Sequence, residues 1–261
     1  MWRPGSGRPP APKWNNRRWL AIGRLQEMIP ISDDNPARLT PIVTWGIIAL
    51  CVAIYLWERS LGRDMEPALN VLGFTPASLF GERTELSGFV GVPPLATILS
   101  SMFLHGSVLH LAGNMLYLWI FGNNAEDAMG HLRFILFYLL SGIAAALTLA
   151  YIEPHSHIPM VGASGAISGV LAAYVLLYPR ARVTVIVPLG IIFYPFAISA
   201  FWVVGLWFVM QLFSAALVDP SQPGVAFWAH VGGFAAGLVM TPILKSRTVP
   251  LFGEVHRGPW E

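Results

Sequence analysis

Apolar positions gather into six uncharged stretches, residues 39–57, 86–125, 134–152, 154–179, 183–218 and 220–244, and the charged residues fall in the gaps between them. A helix needs about 20 mostly apolar residues to cross a hydrocarbon core of about 30 Å, so each stretch can hold one crossing. The predicted crossings are 41–57, 108–121, 132–152, 162–178, 198–218 and 225–244. Two stretches are interrupted. Pro93, Pro94 and the Gly106-Ser107 pair set residues 95–104 apart as a partial helix before the second crossing. Pro188 and Pro195 leave residues 183–194 too short and broken to span, so they read as an interfacial segment leading into the fifth crossing. The expected fold class is an all-α membrane protein, a six-transmembrane helical bundle.

Composition agrees. The 261 residues are 55% hydrophobic and 11% charged, where a soluble domain carries roughly a quarter charged residues; this excludes a disordered chain and disfavours a soluble globule. With six crossings, 13 of the 16 basic residues lie on one side, and only Arg59, Arg63 and Arg83 lie on the other. That bias puts both termini in the cytoplasm. The segments expected are a flexible basic cytoplasmic arm over residues 1–38, a membrane-embedded domain over 39–245 and a short cytoplasmic tail over 246–261. No short apolar run with a cleavage site precedes Leu39, so a removed signal peptide is not expected. The arm's Arg-rich start resembles an organelle transit peptide, although its prolines fit that poorly. A multi-pass protein of a bacterial cytoplasmic membrane is the expected setting. The net charge of +2 gives no support to nucleic-acid binding, the lone Cys51 reads as packing, and no cofactor is expected.

An ionisable or strongly polar group inside a crossing is costly and is a functional hypothesis by default. His110 and Asn114 share one face of the second crossing at i and i+4. Ser164 stands at the start of the fourth, in Gly162-Ala-Ser-Gly-Ala-Ile-Ser-Gly169, and His230 near the start of the sixth, in Ala229-His-Val-Gly-Gly-Phe-Ala-Ala-Gly237. These three crossings run from outside to inside, so all four residues share one depth in the outer half. Gly165 with Gly169, and Gly233 with Gly237, are small-xxx-small pairs that permit close backbone contact. If the two glycine faces meet, His230 reaches Ser164. A serine hydroxyl is a weak nucleophile until a base takes its proton, and imidazole is the usual base. His110, Asn114 and the backbone N–H groups at the start of the fourth helix can serve a developing oxyanion. No acidic third member lies near, so the arrangement is a dyad.

These residues resemble rhomboid intramembrane serine proteases. Gly162-Ala-Ser164-Gly165 resembles their GxSG nucleophile element, Ala229-His230 with its glycines resembles their catalytic-histidine helix, and His105-Gly-Ser-Val-Leu-His110-Leu-Ala-Gly-Asn114 resembles their HxxxxHxxxN element. The resemblance runs from about residue 41 to 244. It implies a six-helix bundle of rhomboid type, with Ser164 as nucleophile, His230 as general base, and His110 and Asn114 at the oxyanion site. It also implies a water-filled cavity opening outward, where single-span or multi-span membrane proteins in the lipid bilayer are cut. Some members carry a Trp-Arg pair nine and eight residues before the His105 equivalent, where this chain has Ala96 and Thr97. Some carry an aromatic residue four after the nucleophile, where this chain has Ser168.

Simpler readings compete at each position. Ser164 alone is packing, His230 an interface histidine, and His110 and Asn114 bond neighbouring helices. His105 divides between loop scaffolding and site support. Glu126 and Asp127 are expected to cap the third crossing, and the Trp-rich stretch 202–228 to face lipid. A zinc protease lacks its His-Glu-x-x-His, an aspartyl protease lacks its aspartates, and a haem carrier ligated by His110 and His230 leaves Ser164 unexplained. The serious alternative is a noncatalytic relative that binds transmembrane helices in quality control.

Overall fold

A computed structural model describes the chain over residues 29–82, 92–189, 192–217 and 224–253; most of the basic arm, with Arg83, Glu85 and Arg257, lies outside the described residues. In chain order the elements are β1 (Ile29–Asp33), α1 (Ile42–Ser60), a 3-10 turn (Gly62–Asp64), α2 (Met65–Leu72), α3 (Pro76–Leu79), α4 (Pro94–Ser101), α5 (Val108–Met129) and α6 (His131–Ile152). They continue with α7 (Ser164–Leu177), β2 (Arg182–Leu189), β3 (Ile192–Ser199), α8 (Ala200–Leu217) and α9 (Phe227–Leu244). The protein is mostly helical. Among the described residues, α1, α6, α8 and α9 are long and apolar enough to cross a membrane. Helix α5 has the length, but asparagines and acids occupy its second half. Helix α7 is apolar and only 14 residues long, or about 21 Å at 1.5 Å per residue.

Helix α7 is encased. Every residue from Gly165 to Tyr174 is buried, and α5, α6, α8 and α9 all pack against it. Glycines set how closely they approach. A Cβ on Gly237 would lie 2.5 Å from the Gly169 carbonyl oxygen, and one on Gly165 would lie 2.6 Å from the Ala145 Cβ. Backbone therefore touches backbone along the α7–α9 seam, as small-residue faces allow.

The expected all-α class needs correction, because a three-stranded antiparallel sheet is present in the order β1-β2-β3. The stretch 183–194, read as an interfacial segment, forms β2 and the start of β3 over its described residues. The run Val183-Thr-Val-Ile-Val187 is β-branched throughout, and Val183 and Val185 are buried while Thr184 and Ile186 are half-buried. The prolines are tolerated by position: Pro195 lies on an edge strand, and Pro188 lies past the last β1 partner of β2, Ile186. The described part of the arm is also folded. Strand β1 pairs with β2, the Tyr174 hydroxyl donates to Asp33 Oδ2 at 2.5 Å, and Asn124 Nδ2 donates to the same oxygen at 3.0 Å. Burial pushes the Asp33 carboxyl up to about 6. The tail folds back too, with the N–H groups of Phe252 and Gly253 reaching the carbonyls of Leu176 and Leu177 at 2.9 Å.

Glu126 and Asp127 lie in the last turn of α5 and cap a different helix from the one expected. Fully buried Glu126 accepts from the backbone N–H groups of Val43 (3.0 Å) and Thr44 (2.8 Å), from the Thr44 hydroxyl (2.7 Å) and from His131 Nδ1 (2.6 Å). Asp127 accepts from the Leu39 N–H at 2.8 Å. The N–H groups satisfied belong to the start of α1 rather than of α6.

Candidate active site

Residues 153–163 run in irregular backbone to the start of α7. Irregular backbone without helical partners must find its hydrogen bonds elsewhere, and here it is fastened on one side. Phe74 and Met160 exchange two backbone bonds of 3.0 and 2.8 Å, and the Gly162 N–H donates to the Ser101 carbonyl at 2.8 Å. Gly162 has φ +122°, and a Cβ there would lie 2.6 Å from the His110 ring. Only glycine meets both conditions.

That geometry sets Ser164 at the first turn of α7, where the leading N–H groups have no acceptor within the helix. Across the glycine seam, His230 Nε2 lies 2.8 Å from Ser164 Oγ. The other ring nitrogen, Nδ1, lies 2.7 Å from Gln211 Oε1 on α8. Trp207, one turn before Gln211, packs at 5.9 Å between ring centroids, and Phe227 meets the ring edge-on at 6.4 Å. His230 is 8% exposed, yet it opens on a cavity of about 570 Å³ lined also by Ser164, His110, Asn114, Gly162 and Trp207.

On the opposite wall, Ser107 caps α5 by accepting from the His110 N–H at 3.1 Å, which places His110 in the first turn. Asn114 Nδ2 lies 3.0 Å from His105 Nε2, and His105 Nδ1 lies 3.2 Å from the Phe103 carbonyl. The carbonyl only accepts, so His105 carries its hydrogen on Nδ1 and Asn114 donates to Nε2. This use takes one of the two amide hydrogens of Asn114. Burial, reinforced by the adjacent His110 ring, holds His105 down to about 4, so it is neutral at pH 7. Its own backbone N–H donates to buried Glu58 of α1 at 3.2 Å. His105 is thus a wholly buried support beneath Asn114.

The structure brings Ser164, His230, His110 and Asn114 around one cavity. Sequence reasoning passes over three of the residues around them. Gln211 is strongly polar within an apolar helix and meets the same cost criterion that selects the histidines. Trp207, grouped with lipid-facing tryptophans, lines the cavity. Glu58, one residue past the predicted first crossing 41–57, is buried in the last turn of α1. Ser168 does not touch His230 by any hydrogen bond; its hydroxyl donates to the Ser164 carbonyl at 2.7 Å.

Apolar helices packed around a half-buried serine–histidine contact define a class, the helical membrane proteins with an internal polar site. A family model described as Rhomboid domain matches residues 94–247, from α4 through α9, and the chain belongs to the rhomboid family. It is 34% identical to RHOMBOID-like protein 4 of Arabidopsis thaliana over 62% of this chain and 37% of that protein. It is 26% identical to Rhomboid protease AarA of Providencia stuartii over 83% of this chain and 78% of that protein. It is also 36% identical to Inactive rhomboid protein 1 of Drosophila melanogaster, over 49% of this chain and 9% of that protein. The chain thus spans little more than a third of RHOMBOID-like protein 4 and most of AarA.

Proposed function

We propose that this protein is an intramembrane serine endopeptidase cutting the transmembrane segments of membrane-anchored proteins. The observation that carries the reading is the 2.8 Å contact of His230 Nε2 with Ser164 Oγ beside a cavity of about 570 Å³. His230 takes the hydroxyl proton as Ser164 Oγ attacks a peptide carbonyl. The same proton passes to the departing amine as the C–N bond breaks, leaving an acyl-serine. Water then attacks that ester, again giving its proton to His230, and Ser164 is restored with release of the acid. The free Asn114 amide hydrogen, His110 and the N–H groups opening α7 face the oxyanion formed in each attack.

The topology that goes with this reading has six crossings, α1 and α5 to α9, with both termini in the cytoplasm, in a bacterial inner membrane. Helix α7, at about 21 Å, falls short of a hydrocarbon core of about 30 Å. Ser164 then lies on the order of 9 Å below the outer surface. A substrate helix unwinds there most readily, because a polar cavity can satisfy its freed backbone groups, so the cut falls in its outer part and helix-weakening Gly or Pro promote it. The competing role is noncatalytic binding of membrane helices, raised by the relative named inactive.

Covalent labelling by a fluorophosphonate separates the two. Ser164 is expected to be labelled, and Ser164→Ala and His230→Ala are each expected to lower cleavage of a tagged single-span substrate by roughly 10⁴-fold or more. A protein that inserts and folds yet neither labels nor cleaves overturns the reading.

A further inference from the structure

We infer that Gln211 is the positioning residue of the Ser164–His230 pair, holding the histidine in the tautomer that can take the serine proton; this rests on the protease reading above. Neutral imidazole carries one hydrogen. Nε2 can accept from Ser164 only if that hydrogen is on Nδ1, and Nδ1–H then needs an acceptor in a buried site. Gln211 Oε1 is that acceptor at 2.7 Å, from a side chain only 7% exposed.

The placement is hard to read as incidental packing. An amide within an apolar helix is costly unless it is bonded, and the Oε1 of Gln211 spends its bond on the catalytic ring of another helix. Trp207 stands one turn earlier on α8 and packs on the same ring, so α8 holds both the plane and the protonation of His230. Helix α7 gives no such support, since Ser168 bonds the Ser164 carbonyl. Among the described residues, no carboxylate bonds the ring. Helices α7, α8 and α9 contain no charged residue, α6 has its only titratable groups, His131, Arg133 and two tyrosines, away from His230's bonds, and from α5 His110 lines the same cavity. A neutral amide fixes the tautomer without adding a buried charge. In other serine proteases an ionised third group does this work, and replacing it with an amide leaves the wrong tautomer, at a cost of roughly 10⁴-fold. An amide bonded through its oxygen, as here, supports the right one.

The test uses the full chain in liposomes and follows the rate of fluorophosphonate labelling at Ser164 against pH, with thermal unfolding in parallel. Gln211→Leu is expected to lower the rate roughly 10²-fold, less than loss of an ionised third member, while the fold is kept. Gln211→Glu retains the acceptor and is expected to recover most of the rate, with the acid limb of the pH curve moved to higher pH because a carboxylate favours imidazolium. Nitrogen NMR of labelled histidine is expected to show His230 as the Nδ1–H tautomer in wild type and in Ser164→Ala, and a mixture in Gln211→Leu. Wild-type labelling in Gln211→Leu, or an unmoved pH curve in Gln211→Glu, overturns the assignment. If Gln211→Leu does not fold, the Gln211→Glu curve decides. A wild-type protein that never labels defeats the protease reading instead, and the tautomer measurement still judges Gln211.

Discussion

Replacing Gly233 by alanine tests whether the glycine seam between α7 and α9 sets the distance between serine and histidine. Gly233 lies three residues after His230, on the same face of α9. A Cβ there would lie 2.9 Å from the Gly165 carbonyl carbon, and closer still to its oxygen. Real Cβ atoms essentially never approach a neighbour within 3.0 Å, and the obstacle is backbone, which no rotamer change can move aside. The helices must part by about 1 Å, at a cost of about 1–3 kcal/mol for overpacking. The Ser164–His230 contact then opens from 2.8 Å to nearly 4 Å, beyond hydrogen-bond range. A displacement of that size costs roughly 10²-fold in rate. Fluorophosphonate labelling of Gly233→Ala in liposomes is therefore expected to slow by roughly 10²-fold, with a lower unfolding temperature. Gly205→Ala is the control, because nothing lies within 4 Å of its added Cβ. If Gly233→Ala labels and unfolds like wild type, the seam does not set the Ser164–His230 distance.

Two further outcomes follow from other parts of the molecule. Asn114→Ala removes one donor facing the cavity and is expected to slow substrate turnover by roughly 10² to 10³-fold, with membrane insertion unchanged; unchanged turnover returns Asn114 to a purely structural role. Asp33 is raised by burial from 3.8 to about 6, so the folded state holds its proton more tightly than the unfolded state does. Its contribution to docking β1 is full below about pH 4 and is lost as pH rises through about 6. Hydrogen-exchange protection of the β1 amides, corrected for intrinsic rates, is expected to fall across that range in wild type and to stay flat in Asp33→Asn.

The membrane helices were legible where charge is sparse: crossing 132–152 lies on α6 and 225–244 on α9, whereas α5 runs on past its predicted end at 121 through Glu126 and Asp127 to Met129. The sheet was not legible for a physical reason. A short apolar run bounded by prolines has no periodicity that separates a strand from a fragment of buried helix. Residues 183–187 are such a run, and β1 is only five residues long and pairs with a strand some 150 residues later. The Asp33–Tyr174 bond joins residues 141 apart, so neither end announces the other. A transmembrane reading also encourages the view that whatever precedes the first crossing is loose tail, which the docking of β1 contradicts.

At the site, the cost of a buried polar group was a good detector and a poor classifier. It found His110, Asn114, Ser164 and His230, and applied evenly it also finds Gln211, Glu58 and Glu126. What it cannot do is tell which of them react. Glu126 and Glu58 each spend their oxygens on the N–H groups of other segments, Val43 and Thr44 in one case and His105 in the other, and both are fully enclosed. They join segments, and a substrate could not reach them. Ser164 and His230 are bonded just as well, to each other, but both open on the cavity. A buried polar group becomes chemistry only where its bond can be exchanged for one to a substrate. That depends on the start of α7 lining the cavity and on Gly162 leaving room beside His110, which are properties of the packed helices and not of any one stretch of sequence.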